Sequence, residues 1–456
     1  MYTWNNEQLP ILQLGAEFYD SVQPAKFPKS ILRYWNSDLN LDIEKSHFSE
    51  FNPVKNNLLE PLALRYHGHQ FRHYNPDLGD GRGFLFGQVK LGNQWHDLGT
   101  KGSGQTRYSR QGDGRLTLKG ALRESLATEL LESLGVNTSK TLCFFETGEN
   151  LSRNDEPSPT RSAVLTRFTL GHIRIGTFQR LAYLKQIENI KKLTSYSLNF
   201  YYQDHYSKLD PQSETELATE FLKQVIDRNA KLVAQVMMAG FVHGVLNTDN
   251  INISGELFDY GPYRFMSNYD PQFTAAYFDQ RGLYCFGRQP ASFLWALEQL
   301  AACLKLAYPD LAVEPLLEGF SELFNSYIQF YFFKRLNLKL AVADQKANFL
   351  ASFFSLMESK KLNFEEIFFD FNSKRVLNQP ELLKKYEAVD QNILSSLEKF
   401  EIADEKLAAH SYFTQEKPCT LLIDEIELIW KSIADHDNWS LYENKLQSIR
   451  RMRGIY

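Results

Sequence analysis

The sequence predicts an α+β protein: an antiparallel sheet carrying one long helix in its first part, followed by a larger, mainly helical part. Three observations predict it. Between residues 60 and 178 short apolar runs alternate with glycine turns, the pattern of strands joined by hairpins. Leu118, Leu122, Leu126, Leu130 and Leu134 recur at helical spacing, flanked by Ala121 and Leu131 and stopped by Gly135. Beyond Pro290 the apolar residues Leu294, Leu297, Ala301 and Leu304, and later Phe320, Phe324, Tyr327 and Tyr331, also keep helix spacing.

Composition bounds the function. With 456 residues, 43% of them hydrophobic, 34 Phe and 23 Tyr, the chain can bury a large core. A net charge of −5 lacks the concentrated basic face that nucleic acid requires, so no nucleic-acid partner is expected. Cys143, Cys285, Cys303 and Cys419 are far apart and form no C-x-x-C pair, which fits buried thiols in a reducing compartment. The opening MYTWNNEQLPILQLG resembles neither a signal nor a transit peptide, and no apolar stretch reaches membrane-spanning length. A cytoplasmic protein with no membrane partner is expected.

Taken in order, residues 1–60 mix short apolar pieces with Pro and Asn and are expected to pack around the sheet-bearing part. His67, His69 and His73 lie close together, but their spacing suits no helix face and no Cys or carboxylate completes a metal set. A packed aromatic segment is the better reading. Next, Leu78-Gly79-Asp80-Gly81-Arg82-Gly83 precedes an apolar run, Phe84–Val89, which turns at Leu91–Gln94 and returns through Trp95 to Lys101. Amides at Gly79 and Gly81 can converge on an anion, Arg82 adds a bidentate donor, and the hairpin delivers Lys101 to the same mouth. A second glycine turn, Gly112-Asp113-Gly114-Arg115, introduces the leucine-striped helix, on which Glu124 lies at the edge of the apolar face. From Ala163 to Phe178 strand-like segments carry Arg167 and Arg174; His172 between them shows no partner and reads as structural. Residues 181–215 read as an exposed helical insertion, and Glu214–Ala239 as a helix stopped by Gly240.

That helix feeds His243-Gly244-Val245-Leu246-Asn247-Thr248-Asp249-Asn250, then a short strand over Ile251–Phe258, then Asp259-Tyr260-Gly261. The pattern matches the kinase catalytic loop and metal-binding turn, with Asn250 and Asp259 as oxygen ligands for Mg²⁺. A protein-kinase-like two-lobed fold is therefore expected. The position of the kinase base is taken by Val245, which cannot accept a proton. The competing reading is an Asn-rich turn between two buried strands, Phe241-Val242 and Ile251-Asn252-Ile253. Further on, Tyr327–Phe333 reads as core, Asn363 as a helix N-cap bonded toward Glu366, residues 380–456 as more helices, and Arg450–Arg453 as a solvated tail.

LGDGRG, KGSGQTRYSRQGDGR, ALRESL, VLTRFTLGHIRIGTF, HGVLNTDN and DYGPY occur in this order, and together they resemble the selenoprotein O family, the SelO protein adenylyltransferases. The resemblance is strongest over residues 60–295. It implies a pseudokinase fold that binds ATP in flipped orientation and attaches AMP to Ser, Thr or Tyr hydroxyls of proteins, itself among them, releasing pyrophosphate. It also implies Gly79, Gly81, Arg82, Lys101, Asp113, Gly114, Arg167, Arg174 and Asp259 around the nucleotide, with Lys101 held by Glu124. Asn250 and Asp259 would bind Mg²⁺, with Mn²⁺ as the alternative, and Asp249 would take the proton. The implied layout is an N-terminal extension over 1–60, a nucleotide-binding N-lobe over 61–178 and a helical C-lobe over 179–456. Arg107 stands where the family commonly has proline, His67 and His69 replace more usual polar residues, and the last 70 or so residues match poorly. Two other readings compete: a kinase-type phosphotransferase on a protein or small molecule, and a non-catalytic nucleotide-binding scaffold.

Overall fold

Eight antiparallel strands make one sheet in a computed structural model that describes residues 2–5, 7–51, 53, 57–154, 156–206, 213–339, 343–387 and 390–456. In chain order they are β1 (Tyr19–Ser21), β2 (Ile31–Trp35), β3 (Leu62–Leu64), β4 (Leu85–Leu91), β5 (Gln94–Lys101), β6 (Leu116–Thr117), β7 (Lys140–Leu151) and β8 (Thr160–Thr169). Across the sheet the order is β1-β3-β4-β5-β8-β7-β2, with β6 paired to β8. The predicted hairpin is β4–β5, and Gly92 makes its turn at φ 58°, a backbone region open to glycine at little cost. Side chains alternate with period two. Phe86, Leu98, Cys143, Phe145, Val164 and Phe168 bury one face against Phe48 and Phe51. Asp97, Gly99 and Lys101 on β5 and Arg167 on β8 therefore turn to the other face.

Among the helices are α1 (Leu118–Ser133), α2 (Ile175–Tyr183), α3 (Ile187–Tyr201), α4 (Glu214–Met238), α5 (Gln289–Ala307), α6 (Phe320–Leu336), α7 (Phe364–Phe371), α8 (Ile423–His436) and α9 (Ser440–Arg450). Thr117 caps α1, its Oγ1 accepting the Gly120 amide at 3.0 Å. Leu118, Leu122, Leu126 and Leu130 share one core with Phe144 and Leu165 of the sheet, and each buried leucine contributes about 1.5–3 kcal/mol. The helix is less amphipathic in context than its stripe predicts. Ser125, Thr128, Glu129 and Ser133 are buried too, because α9 covers the outer side and Tyr442 Oη meets Ser125 Oγ at 2.8 Å.

The helical part departs from expectation at four places. Residues 181–215 are no exposed insertion: Ile190, Leu193, Tyr196 and Leu198 of α3 are fully buried beside α4 and α5, and 207–212 lie outside the described residues. Arg450–Arg453 is no free tail, since Met452 is fully buried and Arg450 and Arg453 both donate to Glu129. Ile251–Phe258 forms no strand; it makes single bridges, Asn252 with Arg174 and Leu257 with Thr138. Phe241–Val242 pairs instead with Arg264–Phe265. Finally, Arg174 is not on a strand but is the N-cap residue of α2.

Other expectations hold, one of them in part. Of the run Tyr327–Phe333, Phe332 and Phe333 are core but Phe330 is exposed and Tyr327 and Tyr331 are half-buried, since only one side of α6 faces the core. Asn363 Oδ1 accepts the Glu366 amide at 2.9 Å, and all four cysteines are buried and unpaired. Among the described residues no helix is long and apolar enough to cross a membrane.

Candidate functional site

A cavity of about 780 Å³ is walled by the glycine loop at 78–84, the end of β5, the loop at 108–115, β8, the start of α2, and the loops at 245–250 and 259–261. Gly79, Gly81, Arg82, Lys101, Asp113, Gly114, Arg167, Arg174, Asp249, Asn250 and Asp259 all line it. Glu124 stands behind this wall and lines a smaller adjoining cavity.

A ladder of alternating charge connects these residues. Glu124 accepts from Lys101 Nζ at 2.6 Å and from Arg167 Nε at 2.6 Å. Arg167 Nη2 reaches on to Asp259 Oδ1 at 2.5 Å, and Arg174 Nη1 donates to Asp259 Oδ2 at 2.8 Å. Lys101 Nζ lies 3.5 Å from Asp259, and Arg174 Nη2 lies 3.3 Å from Asp80 Oδ1. The ladder ties β5, α1, β8, α2 and three loops together, so a shift of any one strains the rest. Arg174 is further fixed by its guanidinium lying 4.3 Å over the Tyr66 ring and by Nη1 donating to the Asp249 carbonyl at 2.8 Å.

Packing dictates the glycine loops. A Cβ at Gly79 would strike the Tyr108 ring, and Gly114, at φ 70°, abuts the Gly104 backbone. Neither position can therefore carry a side chain without a shift of its neighbour. Asp113 sits exposed at the rim with its carboxylate paired to Arg153 at 2.8 Å.

Burial is the largest influence on each carboxylate, and their neighbours set the outcome. For Asp259 burial pushes upward, but Arg167, Arg174 and Lys101 outweigh it and hold the group well below the usual carboxylate range. For Glu124, Arg167 and Lys101 likewise win and keep it ionised. Asp249 differs: burial dominates, Arg174 only partly opposes it, and its carboxyl is pushed up to about 6. Among the described residues its buried Oδ1 has no hydrogen-bond partner, a state that costs about 1–3 kcal/mol unless a ligand satisfies it.

The donor set suits a hard cation. Asn250 spends its Nδ2 on the Val245 carbonyl at 3.0 Å, and among the described residues neither its carbonyl oxygen nor Asp249 Oδ1 has a hydrogen-bond partner. Each Asp259 oxygen keeps a second lone pair beyond its arginine bond. Elsewhere the histidine segment holds no metal set: His67 Nδ1 meets Tyr74 Oη at 2.8 Å, His69 meets Gln179 at 2.7 Å, and burial brings His67 down to about 4. Among the described residues no group of three or more His, Cys, Asp and Glu is placed to hold a metal.

Sequence reasoning missed two elements of the site. Asp80, whose Oδ2 accepts the Leu64 amide at 2.9 Å while Oδ1 faces Arg174, was visible only as a letter between two glycines. His172 lines the cavity and does have a partner, Asp97, 3.1 Å from Nδ1. No local signal could join those two residues, since His172 lies in the loop after β8 and Asp97 on β5, where it stands opposite Thr169.

Known proteins resemble this chain over nearly its whole length. A family model described as protein adenylyltransferase SelO matches residues 5–450, well beyond the motif-bearing stretch and including most of the C-terminal helices. The protein nucleotidyltransferase YdiU of Synechocystis sp. is 42% identical over 466 residues, covering 96% of each chain. That of Trichodesmium erythraeum is 39% identical over 469 residues, covering 97% of this chain and 98% of its own. That of Synechococcus elongatus is 46% identical over 340 residues, covering 73% and 67%.

Proposed function

The chain belongs to the SelO protein adenylyltransferase family and is a protein nucleotidyltransferase, and from this premise we propose that its cavity holds ATP reversed, with the α-phosphorus toward Asp249. One observation carries the reading: a buried, unpartnered Asp249 oxygen lies beside the oxygen donors Asn250 and Asp259, while the usual kinase base position is the inert Val245. We assign residues 61–178 to a kinase-like N-lobe, 179–456 to a helical C-lobe and 1–60 to an extension whose strands β1 and β2 join the sheet.

In this reading Arg82, Lys101, Arg167 and Arg174 grip the polyphosphate, and the loops around Gly79, Gly81 and Gly114 present backbone amides to it. Glu124 keeps Lys101 and Arg167 in place. Asn250 and Asp259 would hold Mg²⁺, or Mn²⁺ in its stead, which when bound supplies charge neutralisation to the phosphates. A Ser, Thr or Tyr hydroxyl of a protein gives its proton to Asp249 as its oxygen attacks the α-phosphorus. The bond from that phosphorus to the bridging oxygen breaks, and pyrophosphate leaves with the electron pair. Catalysis rests on positioning and charge rather than on covalent help from the protein.

ATP labelled on either the α- or the γ-phosphate tests this. The expected result is label retained on protein from the α position only, with the intact mass of the chain or a partner raised by one AMP. Retention from the γ position alone would establish a phosphotransferase. Thermal stabilisation by ATP with no label from either position would leave a scaffold.

A further inference from the structure

We propose that His172 is the ligand for the terminal phosphates, placing the departing pyrophosphate between its Nε2 and the cations Lys101 and Arg167. The inference rests on the reversed-ATP reading and names the group that meets the far end of that nucleotide.

The geometry begins on β5. Asp97, Gly99 and Lys101 lie on the same face at two-residue spacing. In register, Gly99 stands opposite Arg167 of β8, so both ladder cations flank the space over Gly99. That space is filled by the His172 imidazole: a Cβ at Gly99 would strike Nε2 and Cε1. Glycine there makes room for a ring, and the ring lines the cavity.

The ring is anchored from behind. Asp97 Oδ2 accepts both the His172 amide at 3.0 Å and Nδ1 at 3.1 Å. Asp97 Oδ1 in turn accepts from Gln88 Nε2 at 2.6 Å, and Gln88 Oε1 accepts the Ile11 amide at 2.9 Å. This chain fixes the tautomer, with a proton on Nδ1, and the rotamer. Among the described residues Nε2 has no hydrogen-bond partner, although the ring is only 8% exposed. Apolar packing would not need an aspartate held by a glutamine behind it. An anion would: with Asp97 holding Nδ1, an Nε2–H donates, charge-assisted, to a phosphate oxygen. As the α-phosphorus bond breaks, the electron pair goes to pyrophosphate, whose terminal oxygens share the Nε2 proton; the ring itself undergoes no covalent change.

The test is product inhibition of AMP transfer in wild type and His172→Gln. Pyrophosphate inhibition is expected to weaken about tenfold to a hundredfold, the scale of one hydrogen bond to a charged group, while inhibition by AMP changes less than twofold. Equal weakening of both, weakening of AMP alone, or no change in either overturns the proposal. If His172→Gln does not fold, Asp97→Asn, which frees the ring without removing it, is read by the same pair of inhibitors and the same outcomes. Failure of the parent reading looks different: wild type would then place no α-label on protein.

Discussion

Glu124 and Glu129 lie on the same helix, both almost wholly buried, and both are gripped by two cations. Glu124 holds Lys101 and Arg167, which continue to Asp259 and the cavity. Glu129 holds Arg450 and Arg453 and accepts from Tyr34 Oη, and its chain of contacts ends at Asp38 on the surface. Composition and burial alone would rank the two alike. What separates them is where their partners lead: one network opens on 780 Å³ of space beside the buried Asp249 oxygen, while the other ends at the exposed Asp38, although Arg450 Nε and Arg453 Nε also lack hydrogen-bond partners among the described residues. A buried carboxylate flanked by cations thus marks a candidate site only when its partners open on a cavity.

The contrast is broken most severely at Asp259, the common acceptor of Arg167, Arg174 and Lys101. Asp259→Ala is expected to lower AMP transfer per folded molecule about a thousandfold or more, read as α-label on protein, and also to lower the unfolding midpoint, because it strips the shared acceptor from three buried cations. Transfer within tenfold of wild type would reduce the inner ladder to a structural one. Glu129→Ala is expected to spare transfer. It should cost about 2–3 kcal/mol in denaturant unfolding, less than a fully buried pair because Arg450 and Arg453 stay about a third exposed. Its kcat/KM per folded molecule should stay within about threefold, and a loss as large as that of Asp259→Ala would erase the distinction.

The smallest effect comes from a third, more open carboxylate. Asp20 is held down to about 2, first by its hydrogen bonds from Arg65 and then by Tyr108, against the upward pull of burial. A depressed carboxylate stabilises the fold above its unfolded value of about 4 and loses that contribution as pH falls through about 2. Asp20→Asn should therefore be less stable by about 0.5–1 kcal/mol at pH 7, after solvent screening, and indistinguishable from wild type near pH 2. A difference that persists in acid would mean that Arg65 packs rather than pairs.

What was legible in the sequence is what forms locally. The β4–β5 hairpin, the leucine stripe of α1, the N-cap at Asn363 and the loops around Asn250 and Asp259 each carry their own signal within about one helical turn or one tight turn. The residues lining the cavity were legible because their motifs are contiguous strings. The rest depends on pairings across long stretches of chain. Nothing near Tyr19 or Ile31 says that they close opposite edges of one sheet, and nothing near Arg450 points to Glu129. The aromatic face of α3 reads as an insertion until α4 and α5 are laid against it. His172 and Asp97 meet only because β8 runs antiparallel to β5.

The two edge strands also carry a cost in time. β2 leaves the ribosome early, yet its partner β7 is made roughly a hundred residues later; at about 5–20 residues per second the wait is about 5–20 seconds. Through that interval Ile31 to Trp35 offers an unpaired backbone row to any other nascent chain. Slowed translation between β2 and β7 is expected to raise aggregation, and holdase chaperones to engage the chain in that window rather than during synthesis of its helices.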